Sequence, residues 1–478
     1  MMNVPADNRP LQRVLERFMY GTIIVFPFSA LVKVFETQNE VMKLKVPLFD
    51  AVLWITLLIW ICRFIIRRDV SNIQLPPRAA VAFVAAGAAT LFAVSISRAS
   101  LKELLQLFDY LLLFPFLFLN VITTRDRLRR AIVAAAAAAA VVVAFGFVQL
   151  VLLRGKTYLV SSTFDDRNVL TGYLAVCIPF FFGYYRSGMD TLVKSLIIFV
   201  GIGGIMLMTA VFPFIVFVCV MAVLCHAKYG TIRVTAALVF VLGIIAVSPV
   251  SVSRDELFHP GGMFLESPDR DGYDTKVRRS VEMMYFDSIG KIDLSGYTLY
   301  FFSSSTVPRA IPEEYTNYQF NARRKAVSFG ESRHLDQRFI EWRAALNILA
   351  DSPVFGVGLG RYQQEIGRYY TRLPKLNSME PDAQNGYCVT LFTMGLTGLC
   401  CFTWLLLSMH RRIHAAGAAH VGEFDRAVYF ALNGGFWSLL FANFFVPVLY
   451  QSTAVVFSFL LSVSISMASI MNRSGGKD

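Results

Sequence analysis

Residues 131–153 read AIVAAAAAAAVVVAFGFVQLVLL and contain no charged side chain. An α-helix rises about 1.5 Å per residue, so about 20 apolar residues cross a hydrocarbon core about 30 Å thick. This stretch therefore predicts a membrane-spanning helix, and its many alanines would let neighbouring helices approach closely. The same criterion, applied outward along the chain, predicts about twelve spans. They lie at 18–35, 47–66, 79–96, 103–122, 131–153, 169–185, 193–209, 210–225, 234–250, 387–409, 426–446 and 452–470.

Composition and charge agree with a membrane protein. Only 16% of the 478 residues are charged, against about 25% in ordinary soluble domains, so a soluble enzyme is excluded. The net charge of +12 does not indicate a nucleic-acid partner, because the excess of Lys and Arg flanks the apolar runs. The positive-inside rule then predicts a multi-pass membrane protein with cytoplasmic N and C termini, and the first apolar run is expected to be a retained signal-anchor. The basic residues of the short loops are Arg63, Arg67, Arg68, Arg78, Arg125, Arg127, Arg129, Arg130, Lys228, Arg233, Arg411, Arg412 and Arg426.

The spans divide the chain into three parts. Residues 1–250 would form a membrane domain of nine helices, and residues 387–478 would add three more. Between helices 9 and 10, the polar segment 251–386 falls on the extracytoplasmic side, and a loop of this length is usually functional. We therefore predict an all-α integral membrane protein with a large, mainly helical extracytoplasmic loop.

One amphipathic helix is predicted in this loop, near 337–350. Apolar residues recur there at helical spacing and would lie on the membrane domain. They are Phe339, Trp342, Leu346 and Leu349. The helix would place Arg338 in its first turn, where the guanidinium can face a cavity.

A glycine-rich turn, PVFGVGLG, follows at 353–360. Its spacing matches neither a phosphate-binding loop nor a dinucleotide fingerprint. We expect Gly356, Gly358 and Gly360 to permit tight turns against the membrane domain. Such turns could also present backbone N–H groups to a phosphate.

Two further segments complete the pattern: DAQNGYCVTLFTMGLTG at 382–398 and STFDDRNVLTG at 162–172. The Arg–Trp helix, the glycine turn and the polar pair before Gly-x-x-Gly resemble the C-terminal signature of the bacterial O-antigen ligase and Wzy-type polymerase family. The earlier segment is similar to the Gly-x-Phe-x-x-x-Asn stretch of that family, and the resemblance covers roughly residues 155–405. It implies a GT-C-like fold in the bacterial inner membrane, a periplasmic position for the 251–386 loop, and substrates built on undecaprenyl diphosphate. The acceptor would be a lipid-linked repeat or a lipid A core.

The chain departs from the family at two places. Ligases of the family carry a His where this chain has Gln384, and Gln cannot act as a general base. Many members have Ser-Arg where residues 210–213 here read AVFP. These departures put the ligase assignment in doubt and leave a polymerase that uses other groups open.

Candidate site residues follow from the chemistry of the leaving group. When an anomeric carbon separates from diphosphate, negative charge develops on phosphate oxygens, and a guanidinium offers them fixed, charge-assisted donors. Arg338 and Arg167 are the catalytic candidates for this role, with Asp166 and Asp382 as candidate general bases. The substrate-binding candidates are Asn168, Arg333, His334, Trp342, Gly358, Arg361, Gln384 and Asn385. We expect no metal and no other cofactor.

The leading hypothesis is a glycosyltransferase that polymerises undecaprenyl-diphosphate-linked repeats into exopolysaccharide or O-antigen by block transfer. An O-antigen ligase, a polysaccharide flippase and a non-catalytic relative remain alternatives. The expected partners are the lipid-linked donor and acceptor, the bilayer, and a flippase and a chain-length regulator of the same pathway.

Overall fold

The structure, a computed structural model, describes most of the predicted membrane domain and one part of the polar loop. The described residues are 9–28, 33–36, 45–67, 73–93, 97–152, 160–164, 167–186, 188–208, 217–221, 223–224, 342–343, 345–362, 365–366, 369, 385–418, 422–446 and 454–475. The predicted ninth span, 234–250, lies outside them, as does most of the predicted eighth.

Helices dominate this part of the chain. In order they are α1 (Arg9–Val25), α2 (Leu48–Arg67), α3 (Arg78–Ala93), α4 (Arg98–Phe108), α5 (Phe114–Val121), α6 (Arg125–Leu152), α7 (Arg167–Tyr184), α8 (Thr191–Leu207), the short α9 (Ile348–Asp351), α10 (Gly386–Ala418), α11 (Glu423–Ala442) and α12 (Ala454–Gly475). A π-helical turn, Asp109–Leu113, joins α4 to α5 without a break. The antiparallel strands β1 (Lys33–Glu36) and β2 (Lys45–Pro47) form a short hairpin before α2.

Most of the predicted apolar runs coincide with helices. Within the described ranges, five helical segments are long and apolar enough to cross a membrane: Leu48–Ile66, Ala99–Val121, Arg125–Leu152, Gly386–Gly417 and Ala454–Met471. Three shorter apolar helices accompany them, at Arg78–Ala93, Val169–Tyr184 and Thr191–Leu207. A mainly helical protein with several helices able to cross a membrane is therefore confirmed at this level, whereas the count of about twelve spans stays a prediction.

The first helix differs from its prediction. The apolar run predicted a span at 18–35, but α1 covers Arg9–Val25 and ends in a 3-10 turn, Phe26–Phe28. Pro27 within that turn lacks the N–H group that a continuing helix needs. Upstream, Leu15, Met19 and Ile23 are fully or almost fully buried at four-residue spacing. This apolar stripe extends the helix into the basic N-terminal stretch.

Helix α12 lies at the centre of the bundle. It is buried along most of its length, and the Phe459 ring meets those of Phe118 and Phe180 at 6.0 and 5.9 Å. A helix that is apolar on every side suits such a position. The buried hydroxyl of Ser462 donates to the Ser458 carbonyl one turn earlier, so that it needs no partner on another helix.

Ion pairs join the helices at one end of the bundle. Arg125 at the start of α6 makes a bidentate bond to Asp425 at the start of α11, with N···O distances of 3.1 and 2.8 Å. Two further pairs, each at 2.8 Å, link Arg127 to Glu16 of α1 and Arg129 to Asp190 before α8. We call this region the basic end.

The opposite end contains the start of α7, the start of α10 and the end of α11. The Gly386 N–H group donates to the Asn443 carbonyl at 2.8 Å, so α10 begins beside the end of α11. Val446, just beyond α11, lies against Gly172 in the second turn of α7. Because α11 runs from the basic end to this one, the two ends are separated by the length of the bundle.

Candidate functional site

Helix α10 is broken at Gly395. This residue has φ 65° and ψ −163°, in a region that only glycine adopts readily. In an unbroken helix the Leu396 and Thr397 N–H groups would donate to the Phe392 and Thr393 carbonyls. The break leaves these four groups in need of partners, which must come from protein if the helix crosses lipid.

The glycine turn of the loop supplies all four partners. The Val357 and Gly358 N–H groups donate to the Phe392 and Thr393 carbonyls at 2.9 and 3.0 Å. In the other direction, the Leu396 and Thr397 N–H groups donate to the Pro353 and Val354 carbonyls at 2.8 and 3.2 Å. The turn therefore replaces two missing helical hydrogen bonds with four bonds across the break.

Glycine is required on both sides of this contact. Gly356, Gly358 and Gly360 all have positive φ, of 64°, 100° and 75°. A Cβ atom on Gly356 would lie 2.4 Å from the Phe392 carbonyl oxygen, and one on Gly395 would lie 2.3 Å from that of Val354. The prediction of tight glycine turns against the membrane domain is thus confirmed. Because the Val357 and Gly358 N–H groups donate to α10, these two groups do not take the other role considered from the sequence, which was to bind a phosphate.

The same turn contacts α3 and α4. The Leu359 N–H group donates to Thr90 Oγ1 at 3.2 Å, and the Glu103 carboxylate accepts a hydrogen bond from the Gly360 backbone. The turn consequently ties three membrane helices together. Glu103 is not among the residues predicted from the sequence, although a carboxylate within an apolar run is a signal that could have identified it.

An apolar cluster packs the loop onto the first turns of α10. Its buried members are Ala345, Ile348, Val357, Tyr362, Ile366, Val389 and Phe392. The rings of Tyr362 and Tyr369 meet that of Phe392 at 5.0 and 5.3 Å. Trp342, a predicted substrate-binding residue, packs partly buried against the cluster.

The amphipathic helix is only partly as predicted. Residues 342–343 and 345–346 are helical, Asn347 is a turn, and α9 ends at Asp351, close to the predicted stop. The buried positions are Ala345 and Ile348, whereas Leu346, which was expected on the buried face, is 46% exposed. Ala345 and Ile348 lie three residues apart and share one face of the helix, whereas Leu346 lies about 100° around the helix from Ala345.

Asn385 caps α10. Its Oδ1 atom accepts hydrogen bonds from the Tyr387 and Cys388 N–H groups at 3.0 and 3.1 Å, and the residue is 3% exposed. An N-cap satisfies donors that the first helical turn cannot pair. The Tyr387 hydroxyl donates to the Leu440 carbonyl at 2.8 Å, which holds the start of α10 against the end of α11.

The 162–172 segment reaches the same end of the bundle. Ser162 is held on α6, where its Oγ donates to the Val142 carbonyl at 2.6 Å and its N–H group donates to Gln149 Oε1 at 2.7 Å. The Phe164 ring packs against Tyr173 at 5.0 Å. Arg167 and Asn168 are the first two residues of α7, and their side chains lie outside the described part of the structure.

The remaining predicted site residues divide into two groups. Arg361 forms an ion pair at 2.8 Å with the largely buried Glu365 one turn later. Outside the described residues lie Arg338, Asp166, Asp382, Arg333, His334 and Gln384. The structure thus brings together the glycine turn, the break in α10, Asn385 and the start of α7. No family model matches the chain, and no curated protein matches its sequence.

Proposed function

We propose that the chain is a membrane glycosyltransferase that polymerises undecaprenyl-diphosphate-linked oligosaccharide repeats into exopolysaccharide or O-antigen. The observation that carries the proposal is the insertion of the 353–360 turn into the break of α10 at Gly395. Two motifs of the resembled family, more than thirty residues apart in sequence, thereby form one unit beside Asn385. A built contact of this kind supports a folded loop over the membrane helices rather than a solubilising insert.

The proposed chemistry uses the arginines of the loop and of α7. Arg338 and Arg167 stabilise the negative charge that develops on the diphosphate as the anomeric carbon leaves it. Asp166 or Asp382 accepts the proton of the attacking sugar hydroxyl. Arg333, His334, Arg361, Asn168, Gln384 and Asn385 contact the glycan or the diphosphate. Gly358 and Trp342 shape the wall that holds them.

The proposed topology has about twelve spans, with residues 251–386 in the periplasm and both termini in the cytoplasm. Arg125, Arg127 and Arg129 support this orientation, because they meet at the end of the bundle opposite to the start of α10. Basic loops favour the cytoplasmic side of an inner membrane. Donor and acceptor lipids would then enter laterally, and their sugars would meet beneath the loop.

Purified protein in lipid, supplied with lipid-linked repeats, tests the proposal. A polymerase gives a ladder of longer lipid-linked glycans. A single addition to lipid A core would indicate a ligase instead, and translocation without a change in glycan length would indicate a flippase.

Arg338→Lys probes the proposed role of the guanidinium. Lysine keeps the charge but loses the planar pair of donors, so the rate of chain lengthening should fall by about a hundredfold or more. Arg323→Lys, in the same loop, is the matched control and should polymerise at the wild-type rate. Both variants should insert into the membrane normally, and unchanged product lengths in Arg338→Lys would remove Arg338 from the site.

A further inference from the structure

Two histidines lie one turn apart near the end of α10, away from the candidate site at its start. The ring centroids of His410 and His414 are 4.4 Å apart, and the ring planes meet at 76°. Residues four apart are neighbours on the surface of an α-helix, so both rings project from one side of α10. The pair is therefore a local cluster of two nitrogen ligands.

The imidazole ring of His410 is held between α10 and α11. It stacks on the Phe436 ring at 5.4 Å with an interplanar angle of 28°, and it meets the Trp437 ring at 5.7 Å and 73°. Its Nδ1 atom is buried and has no hydrogen-bond partner among the described residues. Because buried polar atoms are almost always paired, an unpaired nitrogen on a fixed ring indicates a position that a further ligand can satisfy.

His414 connects the pair to solvent. This residue is exposed, whereas His410 is partly buried. An exposed side chain changes rotamer within nanoseconds, so the His414 ring can turn a nitrogen towards the fixed ring of His410. An ion from water can thus reach both rings without a movement of the helices.

The spacing of the rings fits chelation of one metal ion. Two imidazole nitrogens that bind one Zn²⁺ at about 2.0–2.1 Å and about 90–110° place their ring centroids about 4.5–5.2 Å apart, close to the spacing seen here. Two histidines at positions i and i+4 on one helical face are also an arrangement with which helices bind zinc.

The ligand type selects the class of ion. Imidazole suits Zn²⁺, Cu²⁺ and Ni²⁺, whereas Ca²⁺ and Mg²⁺ prefer oxygen ligands. Arg411 and Arg412 lie between the two histidines in the sequence and would repel any divalent cation. Binding must therefore come from coordination bonds to nitrogen, which favours the transition metals.

We propose that His410 and His414 bind one transition-metal ion of the Zn²⁺ and Cu²⁺ class, each through a ring nitrogen. In the described part of the chain no group of three His, Cys, Asp or Glu residues could hold a metal, so water fills the remaining coordination positions there. The ion links two successive turns of α10, and the His410 ring connects it to α11. Because it lies far along α10 from Asn385, it is not a cofactor of the proposed glycosyl transfer, and the inference does not depend on that function.

Calorimetric titration of the untagged full-length protein in detergent with Zn²⁺ tests the inference. One equivalent should bind, and His410→Ala and His414→Ala should each weaken binding by at least about tenfold, since each removes one of two protein ligands. His420→Ala removes the next histidine along the chain and is the matched control, which should bind Zn²⁺ as the wild type does. Mg²⁺ should give no binding heat.

Electron paramagnetic resonance of bound Cu²⁺ gives a second measurement that does not depend on protein stability. The wild-type spectrum should show coupling to two imidazole nitrogens, and the His414→Ala spectrum should show coupling to one at most. His414 is exposed, so this variant keeps the test valid if His410→Ala does not fold. Absence of Zn²⁺ binding to the wild type, binding that neither histidine variant weakens, or binding that is lost in His420→Ala would overturn the proposal.

Discussion

Replacing Gly395 by alanine should release the glycine turn from α10. The new Cβ atom would lie 2.3 Å from the Val354 carbonyl oxygen and 2.6 Å from the Phe355 nitrogen, both of them backbone atoms. Neither can rotate away as a side chain would. Either α10 keeps its break under strain, or the turn leaves and the break loses its partners.

The magnitude follows from these two alternatives. Holding a non-glycine residue at φ 65° and ψ −163° costs about 1–3 kcal/mol. If the turn leaves, four hydrogen bonds across the break are also lost, each worth about 1 kcal/mol net. The free energy of unfolding should therefore fall by about 2 kcal/mol if the turn stays in place under strain and by about 4 kcal/mol if it detaches.

Thermal unfolding of the purified protein, combined with limited proteolysis, measures both effects. Gly395→Ala should unfold at a lower temperature and be cleaved faster between 342 and 369. Gly201→Ala in α8 is the matched control, since nothing lies within 4 Å of its added Cβ; it should be neutral or stabilise by about 0.5–1 kcal/mol. If Gly395→Ala unfolds and is cleaved like the wild type, the turn does not depend on the break.

Two further pairs of substitutions test contacts at opposite ends of the bundle. Arg125→Ala leaves the Asp425 carboxylate, which is 1% exposed, without its bidentate partner; because the Arg125 side chain is itself 44% exposed, the loss of stability should be about 1–2 kcal/mol. Arg129→Ala removes an exposed pair and should cost less than about 1 kcal/mol, and equal losses in denaturant unfolding would contradict this difference in burial. Asn385→Ala removes the N-cap of α10 and should lower the free energy of unfolding by about 1 kcal/mol. Asn385→Asp keeps a side-chain acceptor and should retain most of the stability that the cap contributes. Equal stability of these two variants would show that the cap contributes nothing.

The positions of many helices could be predicted because the hydrocarbon of a bilayer restricts the structures that an apolar segment can form. In hydrocarbon every backbone group must be paired within its own segment, so a long apolar run is a helix. The predictions at 47–66 and 131–153 accordingly match α2 and most of α6. The prediction at 18–35 was wrong because the average apolarity of a segment depends neither on a proline that ends the helix nor on the spacing of its apolar residues. Pro27 lies in the turn that ends α1, and the buried stripe of Leu15, Met19 and Ile23 places most of the helix before residue 18 or just after it.

Part of the site could also be predicted, but only locally. The glycines at 356, 358 and 360 indicated tight turns, since positive φ is a property of single residues. Their partner could not be predicted in the same way. Gly395 lies in an apolar run like other glycines of the chain, and only its backbone dihedral angles show that it breaks α10. The exposure of Leu346 could not be predicted either, because the apolar spacing alone did not show that Ala345 and Ile348 form the buried face.

By itself, the sequence determined which segments are apolar helices, where basic residues flank them, and which residues can take positive φ. All of these are properties of near neighbours in the chain and follow from hydrogen bonding and transfer from water to lipid. Only the tertiary structure decided that residues 353–360 fill the break at Gly395. Contacts of this kind depend on the shapes of helices that are far apart in sequence. Within lipid, helices associate through close packing, because the lipid tails are as apolar as the side chains.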